Sequence, residues 1–497
     1  MTDLVLINPG SRKAVFQDLG LEAAAIEPPF WIAVIAAYLR EKGFSVAVID
    51  ANAENLSPEE TAARTAKMNP NAAAVIVYGS QPSASTQNMP SAGAICRALK
   101  RADVPNVVLG GLHPSALPER TMREEVCDFV ADGEAVQTLE TLLSQLKTGC
   151  FEPDKIGGFW WRCDSELRHT ERYPLIQNLD EFLPVAAWDL LPMHLYRAHN
   201  WHCFDDIEHR MPYAALYTSL GCPFHCSFCC INAPFGKHTI RYRSPERVLE
   251  EIDLLVKRYG VKNLKIVDEL FILNKEHYMP IVNGILERGY DLNIWVYARV
   301  DTVDFEVLPL LKRAGINWFA LGIESANPHV RDDVTKNLHR EDIKRVVRRI
   351  QEAGIRVIGN YIFGLPADTK ETMRETLDLA KELNCEYANM YSVMAYPGSR
   401  LYEETLRTHP DRLPRSWSAY SQHSADCHPL ANDQLSSEEI LSFRDRAFVE
   451  YNSDPVYLEM LERTFGRPVR DYVQRVNTTP LRRIHSPEPE KEDLSCG

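Results

Sequence analysis

Short apolar runs alternate with helical stretches over the first 150 residues. The runs fall at 4–7, 46–49, 75–78, 107–109 and 129–131, each bounded by polar or turn-forming residues. Runs of that length read as buried strands. Between them apolar positions recur at helical spacing, as over 31–42, closed by Gly43, and over 87–101. Strand–helix alternation predicts a parallel sheet covered on both faces. Residues 1–150 are therefore expected to form a flavodoxin-like, doubly wound α/β domain. Such domains bind ligands at the carboxyl ends of their strands.

The alternation breaks over 151–210, which reads as a connecting segment with Trp160, Trp161 and Trp188 as packing residues. It resumes with strands expected at 214–218, 263–267, 293–298, 317–322, 355–362 and 386–391. A helix over 245–259 is well punctuated, with Ser244 as N-cap, Pro245 in the first turn and Gly260 beyond the end. Six such units predict a partial (β/α)6 barrel over 211–400, with chemistry at the strands' carboxyl ends. Residues 401–485 read as a polar helical region, and 486–497 as a disordered acidic tail.

Composition narrows the function. A net charge of −14 over 497 residues argues against a general nucleic-acid or anionic-membrane surface. No apolar stretch reaches the length of a membrane span. The amino terminus does not read as a signal peptide, so a cytoplasmic protein is expected. Twelve cysteines, several clustered at 222–230, then suggest reduced thiols and metal rather than disulfides.

That cluster carries the chemistry. Cys222, Cys226 and Cys229 stand in Cys-Pro-Phe-His-Cys-Ser-Phe-Cys, directly after an apolar run. A zinc knuckle would need a fourth ligand. His225 lies between two cysteines and Cys230 abuts Cys229, a poor tetrahedron in either case. Three thiolates at spacing four and three can instead hold three irons of a 4Fe–4S cube, leaving the fourth iron open. Cys230 reads as a small buried apolar residue.

The spacing resembles the signature of the radical S-adenosylmethionine (SAM) enzymes. That resemblance implies that the open iron chelates the amino and carboxylate groups of SAM. Reductive cleavage then gives methionine and a 5′-deoxyadenosyl radical, which abstracts hydrogen from an unactivated carbon. Segments at successive strand ends resemble SAM-contact regions of the family. They are Asp268-Glu269, Arg299, the Glu324-Ser325 end of Gly322-Ile-Glu-Ser, Asn360, and Tyr396-Pro397 in Tyr-Pro-Gly-Ser.

The amino-terminal domain resembles the cobalamin-binding domain of cobalamin-dependent radical SAM proteins. The matching segments are Asn8-Pro-Gly, Pro28-Pro-Phe-Trp, Gly79-Ser80-Gln81-Pro-Ser83, Gly110-Gly111-Leu-His113-Pro and Asp132-Gly133-Glu134. Paired glycines would let the backbone approach a bulky ligand. The Asp-x-His-x-x-Gly motif that places a His under cobalt is absent, and His113 is the single His of residues 1–150. The resemblance therefore implies cobalamin held without a protein His ligand, with a residue of 79–83 beneath the corrin. His113 is expected to orient its loop.

Together these implied cofactors point to a methyltransferase acting on an unactivated carbon of a biosynthetic intermediate. One SAM would methylate Co(I), and a second would supply the radical that prepares the substrate for methylcobalamin. Relatives with the same cofactors perform rearrangement, cyclisation or oxidation, so these stay open. A non-catalytic cobalamin sensor or carrier is the reading from another class. A small-molecule substrate and an external one-electron reductant of flavodoxin or ferredoxin type are the implied partners. Trp295, Tyr297, Tyr361 and Tyr391 fall on barrel strands, where an aromatic more often belongs to the core than to a pocket.

Overall fold

In this computed structural model the described residues are 2–10, 15–17, 24–78, 82–336, 338, 340–477 and 481–484. The acidic tail expected at 486–497 lies outside them.

The first sheet has seven strands in the order β2-β1-β3-β4-β5-β6-β7. Five are parallel: β1 (Thr2–Asn8), β2 (Val46–Asp50), β3 (Pro70–Val77), β4 (Val107–Gly111) and β5 (Phe129–Ala131). Each overlaps an expected apolar run. The strands β6 (Phe159–Cys163) and β7 (Glu166–His169) add an antiparallel hairpin at the β5 edge. The sheet thus runs past residue 150, into the segment read as irregular. Phe159 and Trp161 are buried while Trp160 and Arg162, on the other face, are less so, the period-two pattern of a strand with one face on the core. Asp164, at φ 56°, turns the hairpin.

A second, six-stranded sheet is parallel throughout. It joins β8 (Tyr213–Leu216), β11 (Asn263–Ile266), β12 (Asn293–Ala298), β13 (Ile316–Glu324), β14 (Arg356–Phe363) and β15 (Tyr387–Ser392) in sequence order. This is the open (β/α)6 barrel that the alternation predicts. A short ribbon, β9 (Ser219–Leu220) with β10 (Arg241–Tyr242), brackets the cysteine loop. Helix Pro245–Tyr259 ends as its sequence dictates: the Ser244 side chain accepts from Arg247 N, and Gly260 closes at φ 65°.

The two sheets are held by the segment between them. Trp188, Tyr196 and Trp201 join the barrel core. Tyr196 donates to Asp50 at 2.8 Å, tying this segment to the end of β2, and Ile26 pairs with Arg197 in an antiparallel bridge. Helices Ser437–Asn452, Pro455–Phe465 and Arg467–Asn477 supply the helical region expected after residue 400. Of the described residues, none forms a helix long and apolar enough to cross a membrane.

Candidate active site between the two sheets

Two cavities open at the carboxyl ends of the strands. The smaller holds about 290 Å³ and carries Cys222, Cys226 and Cys229 on its wall. The larger holds about 310 Å³ and lies between the carboxyl edge of the first sheet and the barrel interior. They share Val267, Tyr297, Ala320, Tyr391, Tyr396 and Gln422. These six side chains form a throat.

The cysteine loop is shaped from within. The Asn232 amide spans it, accepting from Cys222 N at 3.1 Å and donating to Cys222 O at 2.9 Å. Cys229 N donates to Cys226 O at 3.1 Å. Burial pushes the Cys222 thiol up to about 11 and raises Cys229 further. Such thiols ionise on binding a metal, which supplies the missing positive charge. Four ligands on one zinc would bring sulfurs within about 3.8 Å of one another. Among the described residues no three His, Cys, Asp or Glu groups converge on a single-ion site. All three thiols line one cavity wall, where an iron–sulfur cube could take them as ligands. Cys230 is buried beside them, as expected.

Both signs of charge line the same cavity. Arg299 reaches Cys226 Sγ at 3.9 Å, lies 3.8 Å over the Phe224 ring, and is fixed by Asp301 at 2.9 and 3.0 Å. Glu324 pairs with Lys336, which the sequence reading did not single out. The backbone there is unusual. Glu324 has φ 61° at a β13–β14 register shift, and a Cβ on Gly322 would overlap both the Glu324 carboxylate and the Lys336 ammonium. The bulge stores strain to seat an ion pair in the cavity wall. Burial raises the Glu269 carboxyl to about 7, with Lys265 opposing and Asp268 adding to the rise. Asn360 also lines this wall, donating to Leu321 O at 3.1 Å and accepting from Asn389 at 2.9 Å. The Tyr396 hydroxyl donates to Tyr420 O at 3.3 Å.

Three expected SAM contacts stand elsewhere. Asp268 is fully buried and accepts from Thr218 N, Thr218 Oγ1 and Ser219 Oγ at 2.5–2.6 Å. Its lone pairs are spent on locking β8 to β11. Ser325 bonds Thr376 at 3.2 Å, behind the wall, and Pro397 lines neither cavity.

The expected cobalamin contacts divide more sharply. Asn8 lines the large cavity and donates to Asp50 at 2.8 Å. Ser80 and Gln81 lie outside the described residues, as does most of the 79–83 stretch expected beneath the corrin; Ser83 falls on the short helix Pro82–Gln87. Gly111, at φ 123°, would overlap the Val77 carbonyl oxygen if it carried a Cβ, and Gly110 packs against Ile76 and Ala131. The neighbouring strand requires Gly111 to be a glycine, whereas a Cβ on Gly110 would make only ordinary contacts. His113 is removed from the cavity. It is 1% exposed, bonds Thr86 at 3.2 Å and meets the Trp417 ring edge-on at 4.4 Å, so it orients its loop. Glu134 pairs with Arg241 at 2.9 Å, and Gly133 N donates to Ser115. Both border a separate crevice of about 130 Å³.

The sequence reading missed the rim of the large cavity. Asn52, Gln87 and Asn88 line it with Asn8, so four side-chain amides stand at the carboxyl edge of β1–β3. Gly10 leaves the space that the Asn52 amide fills. Trp31 lines the same space, tilted 40° against Tyr78 at 4.8 Å, and its buried indole N–H has no described partner. Amides are too common in loops for sequence alone to single these out.

Comparison with known proteins follows the same division. The B12 binding domain model matches residues 17–143, and the Radical SAM superfamily model matches residues 216–380. An uncharacterised methyltransferase of Pyrococcus horikoshii is 30% identical over 458 residues, covering 92% of this chain and 93% of its own length. The chain belongs to the cobalamin-dependent radical SAM family. An anaerobic magnesium-protoporphyrin IX monomethyl ester cyclase of Rubrivivax gelatinosus is 28% identical over 396 residues, 78% of this chain and 67% of that one. The structure of the radical SAM methyltransferase TsrM from Kitasatospora setae, with cobalamin and a 4Fe–4S cluster bound, shares the fold. Its TM-score is 0.69 at 18% identity, over 96% of this chain and 99% of that one. The cofactors of this radical SAM protein are thus a 4Fe–4S cluster, SAM and cobalamin.

Proposed function

We propose that this protein is a methyltransferase that methylates an unactivated carbon of a small-molecule biosynthetic intermediate. The observation that carries this reading is the throat: a cysteine-lined cavity and an amide-rimmed cavity share one wall of six residues. The cofactors supply hydrogen abstraction from carbon on one side and a methyl group on the other when bound.

The chain's own residues bind and orient. Cys222, Cys226 and Cys229 hold the cluster. Glu269 and Glu324 offer carboxylates to the SAM amino group and ribose, and Arg299 offers a guanidinium to the SAM carboxylate. Asn360 and Tyr396 border the rest of that ligand, with Asp268, Ser325 and Pro397 supporting from behind. A wall with both charges suits a zwitterionic sulfonium. Asn8, Asn52, Gln87 and Asn88 match the amide side chains of a corrin, donor to acceptor and the reverse. Tyr297 and Tyr391 stand at the throat; burial pushes both phenols up, so they stay protonated and help exclude water. A flavodoxin- or ferredoxin-type protein would supply single electrons in a cytoplasmic setting.

Similarity to the cyclase favours one second reading, a cyclisation or oxidation with the same cofactors. A non-catalytic cobalamin carrier is the remaining alternative. One experiment separates all three. The reduced holoprotein is incubated anaerobically with SAM labelled in its methyl group, and nucleoside products are measured. Methyl transfer predicts both 5′-deoxyadenosine and S-adenosylhomocysteine. Deoxyadenosine alone supports the second reading, and neither product supports the carrier.

A further inference from the structure

One buried positive charge beside the large cavity is unbalanced. Arg444, on helix Ser437–Asn452, is 4% exposed and forms part of the cavity wall. Its Nε donates to Met390 O at 2.7 Å and its Nη1 to Asp445 Oδ1 at 2.8 Å. Its guanidinium carbon also lies 5.7 Å from the centroid of the Phe448 ring. Asp445 is already engaged by a second buried guanidinium, since Arg483 Nε and Nη2 reach its two oxygens at 2.8 and 2.9 Å. Two guanidiniums therefore share one carboxylate, and no other carboxylate among the described residues pairs with either.

The surroundings register this excess. His423 lines the same cavity, and burial followed by the nearness of Arg444 and Arg483 pushes its imidazole down to about 3, against the pull of Asp445. It stays neutral and adds no charge of its own. Burial alone would raise the Asp445 carboxyl, yet the two guanidiniums hold it below the usual range. The Glu27 carboxylate that lines this cavity is balanced by Lys265 at 3.0 Å behind it. A buried cation without its own counter-ion is costly, and the usual reason to keep one is a ligand that completes it. Around Arg444 the wall is aromatic, with Trp201, Trp295, Tyr387, Tyr391 and Phe448 facing the same space. Trp201 stacks on Tyr387 at 5.7 Å and meets Trp295 edge-on at 5.1 Å.

We propose that this part of the cavity seats the substrate, and that Arg444 receives an anionic group, carboxylate or phosphate, on a molecule with an apolar, planar body. This deepens the methyltransferase reading and rests on it for the word substrate. The aromatic walls take the body, the guanidinium fixes one end, and the other end lies toward the throat. The helical region after residue 400 thereby acquires a role, since Arg444 and Phe448 come from it.

The test uses the full chain loaded with cluster and cobalamin, and equilibrium dialysis of three probes. These are 1-naphthylacetate, 1-naphthylmethylphosphonate and the uncharged 1-naphthylacetamide. The expected result is that an anionic probe binds at least about tenfold tighter than the amide, as a charge-assisted hydrogen bond allows. Which anion wins separates carboxylate from phosphate. Arg444→Gln should erase the preference and Arg444→Lys should keep part of it, with the visible spectra of both cofactors retained in each variant. Equal binding of acid and amide, binding of neither, or a preference that survives Arg444→Gln overturns the proposal. The probes need no turnover, so failure of methyl transfer and failure of the anion preference are read separately.

Discussion

Replacing Cys222, Cys226 and Cys229 together by Ala is expected to abolish SAM cleavage while leaving cobalamin bound. The loss of 5′-deoxyadenosine formation should exceed about a hundredfold, because the variant loses its redox centre and not merely a contact. The reasoning is spatial. All three thiols lie on the smaller cavity, whereas the amide rim proposed for cobalamin lies on the larger one, and the six throat residues between them are untouched. The cysteine loop is also braced independently of the thiols, through the Asn232 side chain and the β9–β10 ribbon. The variant should therefore fold. The measurement is paired: iron and cobalamin content after anaerobic loading, and deoxyadenosine by chromatography. Iron retained at wild-type stoichiometry would place the cluster elsewhere. Loss of cobalamin together with iron would mean that the two cavities are not independent.

The largest effect on stability is expected at Glu251. Its carboxylate and the Arg243 guanidinium form an ion pair at 2.6 Å with both side chains fully buried. The other carboxylate oxygen accepts from Ala186 N at 3.0 Å and from Trp188 Nε1 at 2.9 Å. Arg243 in turn donates to Tyr217 O at 2.9 Å and lies 5.7 Å over the Phe30 ring. One carboxylate thus joins a barrel helix to the segment that connects the two sheets. Glu251→Ala would strand a buried guanidinium and two N–H donors. Breaking one side of such a pair costs about 3–5 kcal/mol. Chemical denaturation of the holoprotein should register a loss of that size. Glu251→Gln, which keeps the hydrogen bonds to Ala186 and Trp188 but not the charge, should cost less. Equal stability of Glu251→Ala and the unsubstituted protein would remove the pair from the account of how the sheets are joined.

Much of this architecture is legible in the chain because strand–helix alternation is a local signal. All five expected strands of the first domain and all six of the barrel appear, and the helix bounded by Ser244 and Gly260 ends where its caps require. The β6–β7 hairpin was missed because a Phe-Trp-Trp run reads equally as packing, and only its pairing to β5 makes it a strand. The cysteine spacing, together with the family resemblance, pointed to the loop that lines the smaller cavity. Its partners were legible to the extent that strand-end residues face a common cavity, which holds for Glu269, Arg299, Glu324, Asn360 and Tyr396. Side-chain direction decides the rest. In the turn beyond β11, Asp268 is locked into the fold while Glu269 lines the cavity. In the first domain Gly111 is required by the neighbouring strand, and His113 packs between Thr86 and Trp417. Lys336 and Arg444 reach the site from helices and loops distant in sequence, and no local pattern announces them.

The central claim is that one chain holds a cluster site and a cobalamin site facing each other across a shared wall. Anaerobic loading with iron, sulfide and hydroxocobalamin, followed by desalting and visible and EPR spectra, tests it most directly. About one 4Fe–4S cluster and one cobalamin retained per chain, with the magnetic signals of the two perturbed by each other's presence, is the predicted result. A cluster retained without cobalamin would contradict it.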